Sequence, residues 1–195
     1  MKKYSALLFF FFCCVFVIRA QNPQGLQVND VAPEFTGQDQ NGKTISLKSA
    51  LQKGSVVLVF YRGEWCPYCN RYLKELEEAL SQISSKNATV IAVTPQLDEY
   101  IDKSVEKTKA TFPILHDEAL KIMKSYDVAY TLDEATLDRY KKFKIDINVI
   151  NGEKNGSSLP VPAVYVINRN GKIVYRFFDP DYTVRAPIKT IMGFL

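Results

Sequence analysis

Histidine and tryptophan each occur once in this 195-residue chain and cysteine only four times. A structural zinc site needs four nitrogen or sulfur ligands, so such a sparse supply of sulfur and imidazole argues against one. Long hydrophobic runs are also missing. The longest, Ala6 to Ile18, has about 13 residues, short of the roughly 20 needed to cross a bilayer. There are no internal repeats, no low-complexity tracts beyond the N-terminus, and no linker rich in Pro, Gly or Ser. Solenoids and multi-domain arrays are therefore excluded. With 47% apolar residues the chain has enough material for one well-formed core.

Lys2 and Lys3 precede the apolar run, and Ala20 closes the segment. This pattern reads as a secretory signal peptide over residues 1–20, leaving a single domain over 21–195 and an exported protein, periplasmic or extracellular. The short run disfavours an uncleaved anchor, and the phenylalanines before Cys13 and Cys14 disfavour a lipid-attachment signal. Without the segment, which carries Lys2, Lys3 and Arg19 but no acid, the formal charge falls from +4 to about +1. Charge then suggests neither nucleic acid nor a membrane surface as a partner of the mature chain. Cys66 and Cys69 become its only cysteines.

The hydrophobic pattern alternates between strand and helix. "APEFTGQDQNGKTISL" has the form of a hairpin turning at Asn41-Gly42, and "SVVLVFY" (55–61) is a β-branched run suited to a strand buried on both faces. From Pro67 the period becomes helical, with Leu73, Leu76, Leu80 and Ile83 on one stripe. "ATVIAVT" (88–94) predicts a second buried strand, residues 97–108 a helix, "FPILHD" a short extended piece, and "EALKIMKSYDV" a helix. Residues 129–160 break the rhythm as an insertion, with a capping box at Thr131 and Glu134 opening a helix. "AVYVINRNGKIVYRF" predicts two strands around an Asn170-Gly171 turn, and Pro187 starts a closing helix. The expected class is α/β, with crossover connections around a central sheet.

Three chemistries could use "EWCPYC". Pro67 is a favoured first helical residue, which places Cys66 at a helix N-terminus. There the free N–H groups and the helix dipole favour an anion, so its thiol pKa should drop from about 8.5 towards neutrality. Cys69 lies one turn on, near enough for a disulfide after modest adjustment. A permanent staple is the second reading, but closing a four-residue loop gains only about 2 kcal/mol, against about 4.7 for a loop of 100. A metal is the third, and it lacks ligands. Pro162, ahead of the strand "AVYV", could be ordinary punctuation or a cis proline.

Taken together, "EWCPYC" after a buried strand and "VP" ahead of "AVYVINRNGKIVY" resemble the thioredoxin superfamily. The chain is similar in particular to peroxiredoxin-like proteins of the alkyl hydroperoxide reductase and thiol-specific antioxidant (AhpC/TSA) group, from "VNDVAPEFTGQDQNGKTISL" through "FYRGEWCPYCN" to "SSLPVPAVYVINRNGKIVYRFFDPDYTVR". The resemblance implies a thioredoxin-like fold with a central mixed sheet, an N-terminal β-hairpin and a helical insertion before the strand that follows a cis Pro162. It implies that the exposed backbone of Val161 pairs with a bound substrate, with Pro162, Pro67 and Tyr68 beside it; Trp65 reads either as a partner contact at the rim of the site or as core packing. In true peroxiredoxins the pattern Pro-x-x-x-Thr-x-x-Cys would put Arg62 at the proline, Cys66 at the threonine and Cys69 at the peroxide-attacking cysteine. The arginine that holds the peroxide there is replaced here by Pro162, and the buried aspartate of thioredoxins by Phe60.

The resulting expectation is an exported thiol–disulfide oxidoreductase with Cys66 attacking and Cys69 resolving. Its partners would be a disulfide-containing protein or small thiol and an unidentified electron donor, and no cofactor or metal is implied. Glu64 is a candidate for proton transfer, and Arg62 for the missing positive charge. A thiol peroxidase with Cys69 attacking is the alternative, and a binding module with a fixed disulfide is the reading from another class. His116 reads as structural. Asp179, Asp181, Tyr182 and Arg185 read as a turn network without chemistry, and the sequons at Asn87 and Asn155 are short enough to arise by chance.

Overall fold

The computed structural model describes residues 22–195, so the expected signal segment lies outside the described residues. The chain opens with a hairpin of β1 (Thr36–Gln38) and β2 (Thr44–Ser46), followed by α1 (Leu47–Lys53) and β3 (Ser55–Phe60). Next come α2 (Pro67–Glu78), α3 (Leu80–Ser85), β4 (Ala88–Thr94), α4 (Asp98–Thr108), β5 (Ile114–His116) and α5 (Lys121–Ser125). An insertion contributes β6 (Ala129–Thr131), α6 (Glu134–Lys142), α7 (Ile147–Asn151) and β7 (Ser158–Pro160). The chain then forms β8 (Ala163–Ile167), β9 (Ile173–Phe178) and α8 (Ile188–Met192).

Five strands make the central sheet in the order β5-β4-β3-β8-β9. The pairs β3/β4 and β4/β5 are parallel, while β3/β8 and β8/β9 are antiparallel, so the sheet is mixed. The β-branched run of β3 occupies its centre and feeds both faces by the period-two alternation of a strand. Val56, Leu58 and Phe60 face a core completed by Leu47 of α1 and Met123 of α5; Val57, Val59 and Tyr61 face one completed by Leu73 and Leu76 of α2 and Ile101 of α4. Helices thus cover both faces, the arrangement expected for a strand that reads as continuously apolar. Gly54 permits the step from α1 into β3, because a Cβ there would sit 1.5 Å from the Asn87 carbonyl oxygen.

Three local readings differ from expectation. The leucine stripe runs through two helices with a break at Ala79, whose ψ has opened to −3°; Leu73, Leu76 and Ile83 stay buried across it. Thr131 does not cap the insertion helix, because it is taken up in β6 opposite Ser158. Asp133 caps it instead, its carboxylate accepting from the Thr136 N–H at 2.7 Å. The third concerns Pro162. No cis peptide bond occurs among the described residues, so the Val161–Pro162 bond is trans. The Val161 N–H donates to the Val128 carbonyl at 2.8 Å and the Pro162 carbonyl accepts from the Asp179 N–H at 3.3 Å. Both residues are buried. The passage from the β6/β7 ribbon into the sheet therefore engages the Val161 N–H and the Pro162 carbonyl, part of the backbone expected to be exposed for a substrate. Among the described residues no helix is long and apolar enough to cross a membrane.

Candidate active site

The end of β3 and the start of α2 build the centre. After Phe60 the chain crosses a loop, Tyr61 to Trp65, and enters α2 with Cys66 as the cap and Pro67 as the first helical residue. A glutamine just after β4 holds this loop in place. Gln96, fully buried, accepts from the Glu64 N–H at 2.8 Å and donates to the Tyr61 hydroxyl at 3.1 Å and the Ser104 hydroxyl at 2.9 Å. Asn70 donates to the Glu64 carbonyl at 2.7 Å, tying the loop to the first turn of the helix. Gly63 lies against the same group, with φ at +152°, and a Cβ there would come within 2.6 Å of the Trp65 indole nitrogen and 2.9 Å of the Gln96 oxygen. The loop is thus close-packed around the residue pair it delivers.

Cys66 and Cys69 are both free thiols, 1% and 0% exposed. Their electrostatics invert the expectation from the helix terminus. Burial pushes the Cys69 thiol up, but the hydrogen bond from Cys66, the charge of Arg185, the Arg62 backbone N–H and the charge of Arg62 together outweigh it and bring the thiol down to about 6. Cys66 is pushed up, first by the hydrogen bond it makes to Cys69, then by burial and the neighbouring negative charge. The helix start favours one thiolate, and two buried sulfurs this close cannot both ionise; the thiolate falls to the sulfur with the cations. Arg185 is the nearer of those cations by direct contact, its Nη2 donating to Cys69 Sγ at 3.3 Å from the loop after β9.

A cage of aromatic rings surrounds Arg62. Its guanidinium carbon lies 4.9 Å from the Trp65 ring centre, 5.8 Å from that of Tyr140 and 4.2 Å from that of Tyr182, and Nη2 donates to the Tyr140 hydroxyl. Trp65 and Tyr140 also pack on each other, with centres 5.1 Å apart. Pro67 is exposed and Tyr68 half-buried, its ring 6.0 Å from that of Tyr182. Glu64 is turned away to Lys107, which binds its carboxylate. His116 bonds the Gln96 carbonyl through Nδ1 at 2.8 Å.

The structure therefore gathers Arg62, Trp65, Cys66, Pro67, Tyr68 and Cys69 at one place, while the Val161 N–H and the Pro162 carbonyl are engaged by Val128 and Asp179. Tyr140, Tyr182 and Arg185 join the site from elements remote in sequence. Arg185 and Tyr182 stood out in the sequence only as part of an Asp-Pro-Asp-Tyr turn, and nothing local linked Tyr140 to the cysteines. No three His, Cys, Asp or Glu side chains among the described residues converge as a metal site.

A dithiol at the start of the helix following the central strand of a mixed sheet defines a thiol-redox protein of thioredoxin-like fold. Residues 28–176 match the AhpC/TSA family, and the chain belongs to it. A Helicobacter pylori protein named as a bcp-type peroxiredoxin is 33% identical over 101 residues, which span 52% of this chain and 66%, just under two thirds, of that protein. The thiol-disulfide oxidoreductase ResA of Bacillus cereus is 25% identical over 150 residues, 76% of this chain and 68% of its own. Relatives of both kinds are oxidoreductases. Among solved structures, the peroxidoxin BcpB of Mycobacterium tuberculosis shares the fold with a TM-score of 0.66 at 17% identity, over 86% of this chain and 95% of that one.

Proposed function

We propose that this chain is an exported thiol–disulfide oxidoreductase that works by cycling Cys66 and Cys69 between a dithiol and a disulfide. The observation that carries the reading is the pair itself: two free thiols at the first turn of α2, one of them accepting a hydrogen bond from Arg185. In a disulfide exchange, Cys66 attacks one sulfur of the substrate as its proton passes to the Cys69 thiolate along their shared hydrogen bond, and the substrate's other sulfur leaves as a thiolate. Cys69 then gives up that proton and attacks Cys66, forming the Cys66–Cys69 bond and releasing the second substrate thiolate. The substrate gains two electrons and the protein holds the disulfide until a donor thiol reopens it. The burial of both sulfurs favours a small disulfide over a bulky protein one. Export rests on the basic and apolar first twenty residues.

The test uses the two single variants. Cys66→Ser abolishes reduction of a small disulfide, and Cys69→Ser traps a covalent mixed disulfide; reduction at the normal rate by Cys66→Ser protein sinks the assignment.

A second reading, reduction of a hydroperoxide, is favoured by the location of the thiolate on Cys69, beside an arginine donor. There Cys69 attacks a peroxide oxygen, the O–O bond breaks with release of water or an alcohol, and the sulfenic acid condenses with the Cys66 thiol to give the same disulfide and water. Stopped-flow mixing with hydrogen peroxide separates the two: a second-order rate no better than that of free cysteine removes the peroxidase. A fast rate that leaves sulfenic acid on Cys69 in the Cys66→Ser protein establishes it.

A further inference from the structure

Arg62 leaves most of its donors unused. The residue is 2% exposed, its Nη2 bonds the Tyr140 hydroxyl, its Nε is buried without a partner, and no carboxylate among the described residues lies within ion-pair distance of it. A buried cation costs several kcal/mol unless its surroundings compensate, and the negative charge Arg62 faces is the thiolate of the cysteine pair, not a carboxylate. The rings of Trp65, Tyr140 and Tyr182 supply part of that compensation on the faces of the guanidinium. Its edge donors need acceptors in their own plane, which rings cannot provide.

Arg62 lines a cavity of about 430 Å³ between the α6 insertion and the loop after β9. That is within the roughly 300–1,000 Å³ range of small-molecule sites. Tyr130, Tyr140 and Tyr182 line it with aromatic surface, and Arg139 of α6 adds a second cation. The one acidic side chain in the lining, Asp133, is engaged as the cap of α6, accepting from the Thr136 N–H at 2.7 Å and the Thr136 hydroxyl at 3.2 Å. Two guanidinium groups, flat apolar walls and a committed carboxylate complement a ligand with one anionic end and a planar body.

We propose that this cavity binds a small organic carboxylate with an aromatic or apolar body, its carboxylate held by Arg62 and Arg139. Such a ligand lies against the Tyr140 ring, which packs on Trp65, and shares Arg62 with the loop that delivers Cys66. That the ligand is the small disulfide or thiol handled by the cysteines rests on the function proposed above; the binding itself does not.

The experiment titrates the reduced protein with 2-naphthoate and, separately, with its neutral analogue 2-naphthamide. Binding is followed by calorimetry and by the fluorescence of Trp65, the only tryptophan. Naphthoate binds saturably below 1 mM and at least about tenfold more tightly than naphthamide, as a charge-assisted contact requires. Arg139→Gln removes an exposed side chain whose one bond is to the Thr136 hydroxyl at 3.1 Å, so the fold is undisturbed; naphthoate affinity falls at least about fivefold and naphthamide affinity stays put. Equal affinity for the two probes, no saturation by naphthoate, or an Arg139→Gln protein that binds naphthoate as wild type each overturns the site. If naphthoate binds as described but the cysteines reduce no disulfide, the proposed function fails and the site stands; disulfide reduction without naphthoate binding is the reverse.

Discussion

Removing the cation beside Cys69 isolates one of the influences that make this thiol acidic. Arg185 donates to Cys69 Sγ at 3.3 Å and is one of four influences that carry the thiol to about 6 against its burial. An opposite charge at such range shifts a pKa by about 1 to 3 units, and the half-exposed position of Arg185 puts it near the lower end. Arg185→Gln then moves the apparent value from about 6 to about 7, and at pH 6.5 the thiolate fraction drops from about three quarters to about one quarter. Disulfide exchange slows about threefold at that pH and is unchanged at pH 9, where either protein is ionised. Thiolate absorbance at 240 nm, followed from pH 4 to 9, gives the value directly, and Arg185→Lys recovers part of the shift. A value within about 0.3 units of wild type in Arg185→Gln refutes the reasoning, as does a low-pH thiolate that survives Cys69→Ser but vanishes in Cys66→Ser. Stability follows the same proton. The native Cys69 value lies below the roughly 8.5 of an unfolded chain, so its contribution is complete above pH 8.5 and is lost as pH falls through about 6. Cys66, raised in the native state, lowers stability above pH 8.5.

Other substitutions probe the frame around the thiols. Gly63→Ala, with its Cβ 2.6 Å from the Trp65 nitrogen at φ +152°, costs about 1–3 kcal/mol in urea unfolding and slows the cysteine chemistry by displacing the loop. Leu73→Ala empties a fully buried position under the same helix and costs about 2–5 kcal/mol, a fall in melting temperature of roughly 5–15 °C. Lys107→Ala breaks only the partly exposed pair with Glu64, so its effect stays below about 1 kcal/mol; a larger loss would show that the loop depends on that pair rather than on Gln96.

The sheet and its covering helices were legible because their signals are local. The apolar run 55–61 sits at the centre of the sheet, the Asn-Gly turns make hairpins at 41–42 and 170–171, and Pro67 begins the helix that carries the cysteines. What sequence reasoning assigned wrongly depends on tertiary neighbours. The helix terminus alone favours Cys66 as the thiolate, but the hydrogen bond shared with Cys69 and then the charge of Arg185, 116 residues away, favour Cys69. Thr131 followed by Glu134 fits a capping box, yet strand pairing with Ser158 claims the threonine first. The backbone of Val161 is taken by Val128, a contact that exists only once the insertion folds back on itself. Arg62 was singled out as a charge near the cysteines; the ring cage that holds it comes partly from Tyr140 and Tyr182, which no local pattern connects to it.

The separation between Cys69 and Arg185 also bears on how the molecule matures. The start of α2 can form from nearby residues, but the guanidinium arrives only when the segment after β9, 116 residues along the chain, has docked. Until then Cys69 has the Cys66 hydrogen bond and Arg62 of its own segment but lacks the remaining cation. The last increment of Cys69 acidity therefore follows completion of the tertiary structure, and the final rise in thiolate at pH 7 during refolding reports the docking of that segment.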